Sequence, residues 1–223
     1  MLDVLAKTPL FRGIVRDDIR VVLKSLCAHE KSYRKGEIIV QAGATTRECG
    51  VVVRGAAVIE HGDIWGNVSI MGVIEVGVNF SLPYACLGRE PLPFTVVARE
   101  ATSVVFIDVS ALMTTRQLPC HLHSVLMRNL LEICARRNLH LVQRTMHTAP
   151  KTIRGRIVAY LSDAMSAQKS RTLEIPYNRQ QLAQYLGVER SALSNELSKM
   201  QKEGILRCEK NVFTWIGTSP MPD

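Results

Sequence analysis

The chain has 223 residues, of which 47% are hydrophobic and 22% charged, and its formal net charge is +8. That length can bury a real core, and that composition excludes a disordered chain. The positive balance favours an acidic partner, nucleic acid first, and no run of about 18 apolar residues is present to span a membrane.

The N-terminal stretch, residues 1–7, carries Asp3 where a signal peptide has positive charge, and no long apolar segment follows it. No signal peptide is expected. Cys27, Cys49, Cys86, Cys120, Cys134 and Cys208 form no C-x-x-C pair, so the expectation is reduced thiols in a cytoplasmic protein. Ile19, Val22, Leu23 and Leu26 recur at i, i+3, i+4, i+7 and predict a helix over residues 14–27, with Asp17 and Asp18 in its early turns.

From residue 32 to 108 the pattern changes to short β-rich runs, at 37–41, 51–53, 57–59, 68–70, 95–97 and 104–107. Gly36, Gly43, Gly50, Gly55, Gly62, Gly66, Gly72 and Gly77 fall between or beside them. Short strands at close spacing predict an all-β barrel or jelly roll.

Residues 119–146 contain neither glycine nor, after Pro119, proline, and Leu122, Leu126, Leu130, Ile133, Cys134 and Leu141 recur at helical spacing. A helix of this length runs about 40 Å. A parallel copy from a second chain would bury its seam, which assigns a homodimer interface to Leu122, Leu126, Leu130, Ile133 and Leu141. The alternative is a helix packed on its own barrel. Residues 148–150 (Thr-Ala-Pro) end the helix and predict a hinge. A helix over 151–167 and a short strand over 172–175 follow.

Residues 178–203 carry the most specific signal. Asn178 caps a helix, with Gln181 completing a capping box. Leu182, Ala183 and Leu186 form its buried side, and Gly187 stops it where positive φ is needed. A second helix begins near Glu189 and buries Leu193, Leu197 and Met200. Small Ala183, the Gly187 turn and the Leu193 anchor meet the steric needs of a helix-turn-helix. After Gly204, two apolar runs at 205–208 and 212–216 predict a hairpin, the wing of a winged helix.

The exposed face of the second helix is then Arg190, Ser191, Ser194, Asn195 and Lys199. Arg190 suits bidentate bonds to guanine and Asn195 to adenine, with Ser191 and Ser194 short enough to let the helix sit deep in the groove. Arg179, Gln180, Lys199 and the wing's Lys210 are assigned to the DNA backbone. No dinucleotide, P-loop, nucleophile-elbow or zincin motif is present, so no catalytic residue is assigned and no enzyme is expected.

With barrel, long helix and winged helix-turn-helix in that order, the chain resembles the cyclic-AMP receptor protein and fumarate-nitrate-reduction regulator family of bacterial transcription factors. The carriers are Pro9-Leu10-Phe11, Lys35-Gly36-Glu37, the Arg54-Gly55 turn, Gly62 to Asn67, Lys151-Thr152-Ile153-Arg154 and Leu182 to Gly204. The resemblance implies an α+β chain: a cyclic-nucleotide-binding-like sensor barrel at 1–118, a dimerisation helix at 119–147 and a winged helix-turn-helix at 148–223. It implies a dimer on palindromic double-stranded DNA, with RNA polymerase as a further partner. Asn195 stands where the family commonly has arginine.

Aligned with the family, Ser81-Leu82 occupies the place of the Gly-Glu pair that serves a cyclic nucleotide, and Leu92-Pro93 that of its arginine and serine or threonine. Proline lacks even a backbone N–H. Cyclic AMP is therefore not expected at the pocket region of Gly77, Ser81, Leu82, Leu92 and Pro93, although Arg89 and Arg99 lie nearby. Two early cysteines do not suffice for the family's four-thiolate cluster, and no metal ligand is assigned. Cys120 and His123, on one helix face, are the best local haem or metal candidates; His61 reads as a solvated loop residue. The effector is left open among haem, a redox signal, an unidentified small molecule, or none.

Overall fold

A computed structural model describes residues 1–63, 65–114 and 118–217. Ile64, inside the Gly62 to Asn67 run, lies outside the described residues. The chain divides into two compact units, residues 1–135 and 136–223.

The first unit begins with α1 (Leu2–Leu5), a 3₁₀ turn at Pro9–Phe11 and α2 (Arg16–Ser25). Strands β1 (His29–Tyr33), β2 (Ile38–Val40), β3 (Glu48–Arg54), β4 (Ala57–Gly62), β5 (Val68–Ile74) and β6 (Asn79–Phe80) follow. Then come α3 (Leu82–Leu87), β7 (Thr95–Ala98), β8 (Thr102–Asp108), α4 (Val109–Thr114) and α5 (Cys120–Thr148), whose later turns belong to the second unit. The strands make two four-stranded antiparallel sheets, ordered β1-β8-β3-β6 and β2-β7-β4-β5. This is the jelly-roll arrangement expected from the spacing of the runs.

The central strands β3 and β8 are buried on both faces, which is why 104–107 reads as a continuous apolar run rather than an alternation. Val52, Val104 and Phe106 point into the core between the sheets, with Tyr33, Ile74 and Phe80. Cys49, Val51, Val105 and Ile107 point the other way, under a helical layer that includes Leu10, Ile19, Leu82 and Leu112. Gly50 is required here: a β-carbon on it would lie 2.0 Å from the Phe80 ring.

Leu122, Leu126, Leu130 and Ile133 belong to this same helical layer, at 3%, 0%, 3% and 8% exposure. They are spent on the chain's own first unit, so the seam assigned to them is corrected. Asn129 fixes the packing, donating from Nδ2 to the Leu10 and Arg12 carbonyls at 2.9 and 2.8 Å. The exposed apolar side chains of α5 are Leu131, Leu139, Leu141, Val142 and Met146. Periodicity identified an apolar face correctly; it could not say whose surface covers it.

The second unit adds α6 (Ile153–Gln168), β9 (Thr172–Glu174), α7 (Arg179–Leu186), α8 (Arg190–Lys202), β10 (Leu206–Glu209) and β11 (Val212–Trp215). Its small antiparallel sheet is ordered β10-β11-β9. The core joins Ile157 and Leu161 of α6, Leu182 and Leu186 of α7, Leu193 and Leu197 of α8, and Phe213 of the hairpin.

Candidate nucleic-acid interface

The first helix of the motif, α7, is set by its cap. Asn178 Oδ1 accepts from the Gln181 N–H and Gln181 Oε1 accepts from the Asn178 N–H, both at 2.9 Å. Gly187 ends it at φ 64°, and the Val188 N–H donates back to the Ala183 carbonyl at 3.0 Å. Such a left-handed C-cap strains any other residue. Arg156 of α6 then grips the turn, donating from Nη1 to the Leu186 and Gly187 carbonyls at 2.9 and 3.1 Å and from Nε to the Pro150 carbonyl at 2.9 Å.

Across the turn, α8 buries Leu193, Leu197 and Met200 at 2% exposure or less. The opposite face carries Arg190, Ser191, Asn195 and Lys199, all exposed, with Ser194 half-buried beside them. Among the described residues, the side chains of Arg190, Ser191 and Asn195 have no intrachain hydrogen bond or ion pair, so they are available to a ligand. Ser198 and Lys202 lie on this face as well, one turn beyond Ser194 and two turns beyond Asn195 respectively, and were not singled out from sequence.

Two acids, Glu196 on α8 and Glu203 at its C-cap, are held on the flank of the helix. Arg154 of α6 bonds Glu196 Oε1 from Nε at 2.6 Å and holds Glu203 in a fork, Nη1 to Oε2 at 2.7 Å and Nη2 to Oε1 at 2.9 Å. The fork holds the Glu203 carboxyl below its usual range, with Lys199 adding to the effect. These pairs orient α8 and leave its outer face basic. Arg154 and Arg156 are functional supports that periodicity could not reveal, since each acts across 30 or more residues.

At the wing, Lys210 sits in the β10–β11 turn at φ 53°, exposed. Asn211 Nδ2 ties this turn to Glu174 Oε1 and the Ile175 carbonyl at 2.9 and 3.2 Å. Gln180 is exposed. Arg179 differs from expectation: its guanidinium lies 4.9 Å over the Phe213 ring and donates to Cys208 Sγ at 3.1 Å. That placement makes it a brace between α7 and the wing. A cleft of about 420 Å³ runs between Tyr177, Asn178, Arg179 and the wing residues Lys210 and Asn211.

In the barrel, Ser81 takes φ 61°, the backbone conformation that suits the glycine of the family pattern, and its buried Oγ has no hydrogen-bond partner among the described residues. Leu82 and Leu92 are 1% and 2% exposed. The Leu92 backbone is used up, donating to the Ala44 carbonyl and accepting from the Gly43 N–H at 2.9 and 2.8 Å. Gly77 takes φ 85° in the turn before β6. Pro93 offers only its carbonyl, which accepts from His61 Nδ1–H at 2.9 Å. Arg89 and Arg99 are exposed. His123 Nε2–H donates to the Leu112 carbonyl at 2.9 Å, while Cys120 is exposed. Among the described residues, no three His, Cys, Asp or Glu side chains converge as a metal site, and no helix is long and apolar enough to cross a membrane.

Residues 155–214 match the family model of the Crp-like helix-turn-helix domain, and residues 30–117 that of the cyclic nucleotide-binding domain. No curated protein matches significantly. Among solved structures, the chain is similar to the Thermus thermophilus catabolite activator protein, at 20% identity over 93% of each chain with a TM-score of 0.50. It is similar to CprK complexed with OCPA, at 14% identity over 90% of this chain and 92% of that one, TM-score 0.58. The sensor domain of the transcriptional regulator DNR from Pseudomonas aeruginosa matches at 18% identity over 60% of this chain and 86% of its own, TM-score 0.51. At these identities the likeness to each is one of fold. Taken with the order of the two matched domains and the free basic face of α8, the chain belongs to the Crp/Fnr family, whose members are DNA-binding transcription regulators and not enzymes.

Proposed function

We propose that the chain acts as a homodimer on a palindromic double-stranded DNA site in the cytoplasm, with Arg190, Ser191, Ser194 and Asn195 reading base edges. Gln180, Lys199 and Lys210 contact the backbone, and Arg179 braces the wing. The observation that carries this reading is the outward face of α8, where Arg190, Ser191 and Asn195 stand exposed without intrachain partners among the described residues, while Glu196 and the C-cap Glu203 are held by Arg154. Free bidentate donors on a helix that fits the major groove are what base readout needs.

The dimer is joined along Leu131, Leu139, Val142 and Met146 of α5, exposed at 65%, 61%, 47% and 66%. These fall within one arc of the helix, with Ala135 between them, whereas Leu141 stands about 100° round from Val142. Two such chains would set their α8 helices about 34 Å apart, one DNA turn. RNA polymerase is the proposed partner of the DNA-bound dimer.

The effector proposed for Gly77, Ser81, Leu82, Leu92 and Pro93 is an uncharged molecule that hydrogen-bonds Ser81 Oγ; the orphaned oxygen supports this, and the apolar Leu82 and Leu92 disfavour an anion. Selection from a random palindrome pool, followed by gel shift, tests the DNA reading. Recovery of a two-fold symmetric site supports it, and selection of no sequence above background overturns it.

A further inference from the structure

His147 lies in the last turn of α5, only 6% exposed, and neither of its ring nitrogens is idle. Nδ1 is 2.8 Å from the Tyr185 hydroxyl on α7, and Nε2 is 3.2 Å from Asp163 Oδ2 on α6. The ring packs edge-on to Tyr160 at 5.4 Å, and Tyr160, Tyr177 and Tyr185 cluster with centroids 5.1–6.1 Å apart, Tyr177 stacked on Tyr185 and Tyr160 tilted to both. One imidazole thus joins the end of the long helix to α6 and to the first helix of the DNA-binding motif, all within the second unit.

Burial pushes the Tyr185 hydroxyl above its usual range, so it keeps its proton and can donate. With a neutral ring, Tyr185 O–H donates to Nδ1 and Nε2–H donates to Asp163, and both ring nitrogens are satisfied. We propose that this Asp163–His147–Tyr185 chain is a proton-sensitive latch on α7, closed when His147 is neutral and loosened when it is charged. The proposal rests on α7 and α8 being the DNA-binding element.

The sign follows from the donors. A charged ring presents N–H at both nitrogens, so the Tyr185 hydroxyl must reverse and its own proton loses its buried acceptor. The other contact becomes an ion pair, but Asp163 is 55% exposed, where water screens the gain. The remaining groups around the ring also count. On α5, Arg144 lies 6.0 Å from the Tyr185 ring centroid and donates to the Tyr185 and Gln184 carbonyls, so a second cation beside it is disfavoured. His140, also on α5, lies 6.0 Å from the Tyr185 ring. Tyr160 on α6 is held protonated by burial. Protonation therefore shifts the grip of His147 from α7 towards α6. Histidine is the side chain that makes this change within physiological pH.

The test is DNA affinity from pH 5.5 to 8.0 at fixed ionic strength, by fluorescence anisotropy on the selected duplex. Wild type is expected to lose about fivefold affinity on acidification, whereas His147→Gln and Tyr185→Phe stay flat and His140→Gln follows wild type. A His147→Gln profile parallel to wild type overturns the latch. Long-range ¹⁵N NMR of the unbound wild-type chain gives an independent reading. An Nε2–H tautomer that gives way to a doubly protonated ring as the pH is lowered across the same range, with faster Tyr185 amide exchange, supports the latch; an unchanging ring overturns it. Absence of DNA binding at every pH would instead overturn the DNA reading, and the NMR result would still decide the latch.

Discussion

The two halves of this regulator keep very different amounts of their family's equipment. In the second unit every device of a winged helix-turn-helix is in place: the Asn178–Gln181 capping box, the left-handed Gly187, the Leu193 anchor and the tied wing turn. In the barrel the scaffold is equally regular, but the segment from Gly77 to Pro93 presents Leu82 and Leu92 as buried apolar side chains and a single orphaned hydroxyl on Ser81. On the proposed reading, the exposed face of α8 with Arg190 and Lys199 suits an anion, while the buried leucines of the barrel segment disfavour one. A fold can keep its frame while changing what it senses, because strand packing and ligand contacts reside in different side chains.

The long helix α5 gives the sharpest way to separate frame from interface, because its two faces make opposite predictions. Leu126→Asp puts a charge into a fully buried site of the first unit and should cost about 4 kcal/mol or more of stability. Thermal or denaturant unfolding followed by near-ultraviolet circular dichroism measures it. Val142→Asp, on the exposed stripe, should leave the melting temperature of the monomer nearly unchanged but abolish the dimer. Loss of the second half-site should then cut affinity on the order of a hundredfold. Sedimentation at micromolar concentration checks the first point and anisotropy the second. If Val142→Asp stays dimeric, the interface is not on this face.

On the recognition helix the effect should be smaller and confined to sequence preference. Arg190→Ala removes an exposed side chain without intrachain partners, so folding is untouched, while binding to the selected site should weaken by about 1–3 kcal/mol. Discrimination between cognate and mismatched duplexes should fall with it, and equal loss on both would mean that Arg190 contacts only phosphate. Lys210→Ala, at the wing turn, should do the reverse. Affinity drops mildly on every sequence, and the slope of log affinity against log salt shrinks by about 1.

The uneven legibility of the sequence has a physical origin. The helix-turn-helix could be read because its signals are local: a cap, a turn glycine and apolar residues at i, i+4 and i+7 occupy one 26-residue stretch. The bracing roles of Arg154 and Arg156 were invisible, although Arg154 is one of the residues that carry the family resemblance, because their partners, Glu196, Glu203 and the Leu186 carbonyl, come from distant sequence. Strand β1 escaped notice because it is a sheet edge, and His29, Glu30 and Lys31 face solvent instead of alternating. Charged residues at such an edge discourage strand addition. The apolar face of α5 was legible as a face, yet Leu122 to Ile133 turned out to be covered by the chain's own helices, because periodicity carries no label for the surface opposite.

The comparison of the two halves can be pressed to a null result: cyclic AMP should neither bind nor change DNA affinity. A cyclic phosphate in the barrel carries a full negative charge, and its desolvation must be offset by a cation or several aligned donors. Leu92 supplies no side-chain donor, and its backbone N–H is already committed to the Ala44 carbonyl. Pro93 has no N–H, its carbonyl would repel the phosphate, and that carbonyl is already engaged by His61. Among the described residues Ser81 Oγ is a buried polar atom without a partner, and a neutral hydroxyl cannot balance a charge alone. Losing a buried charged partner typically costs about 3–5 kcal/mol, more than a hundredfold in affinity, which takes micromolar binding to millimolar. Calorimetry with cyclic AMP and cyclic GMP up to millimolar concentration should register no heat of binding, and Ser81→Ala should not alter that result. Micromolar binding would mean that Arg89 or Arg99, both exposed, turns inward to hold the phosphate, and the contrast between an anion-seeking output and an anion-excluding input would be lost.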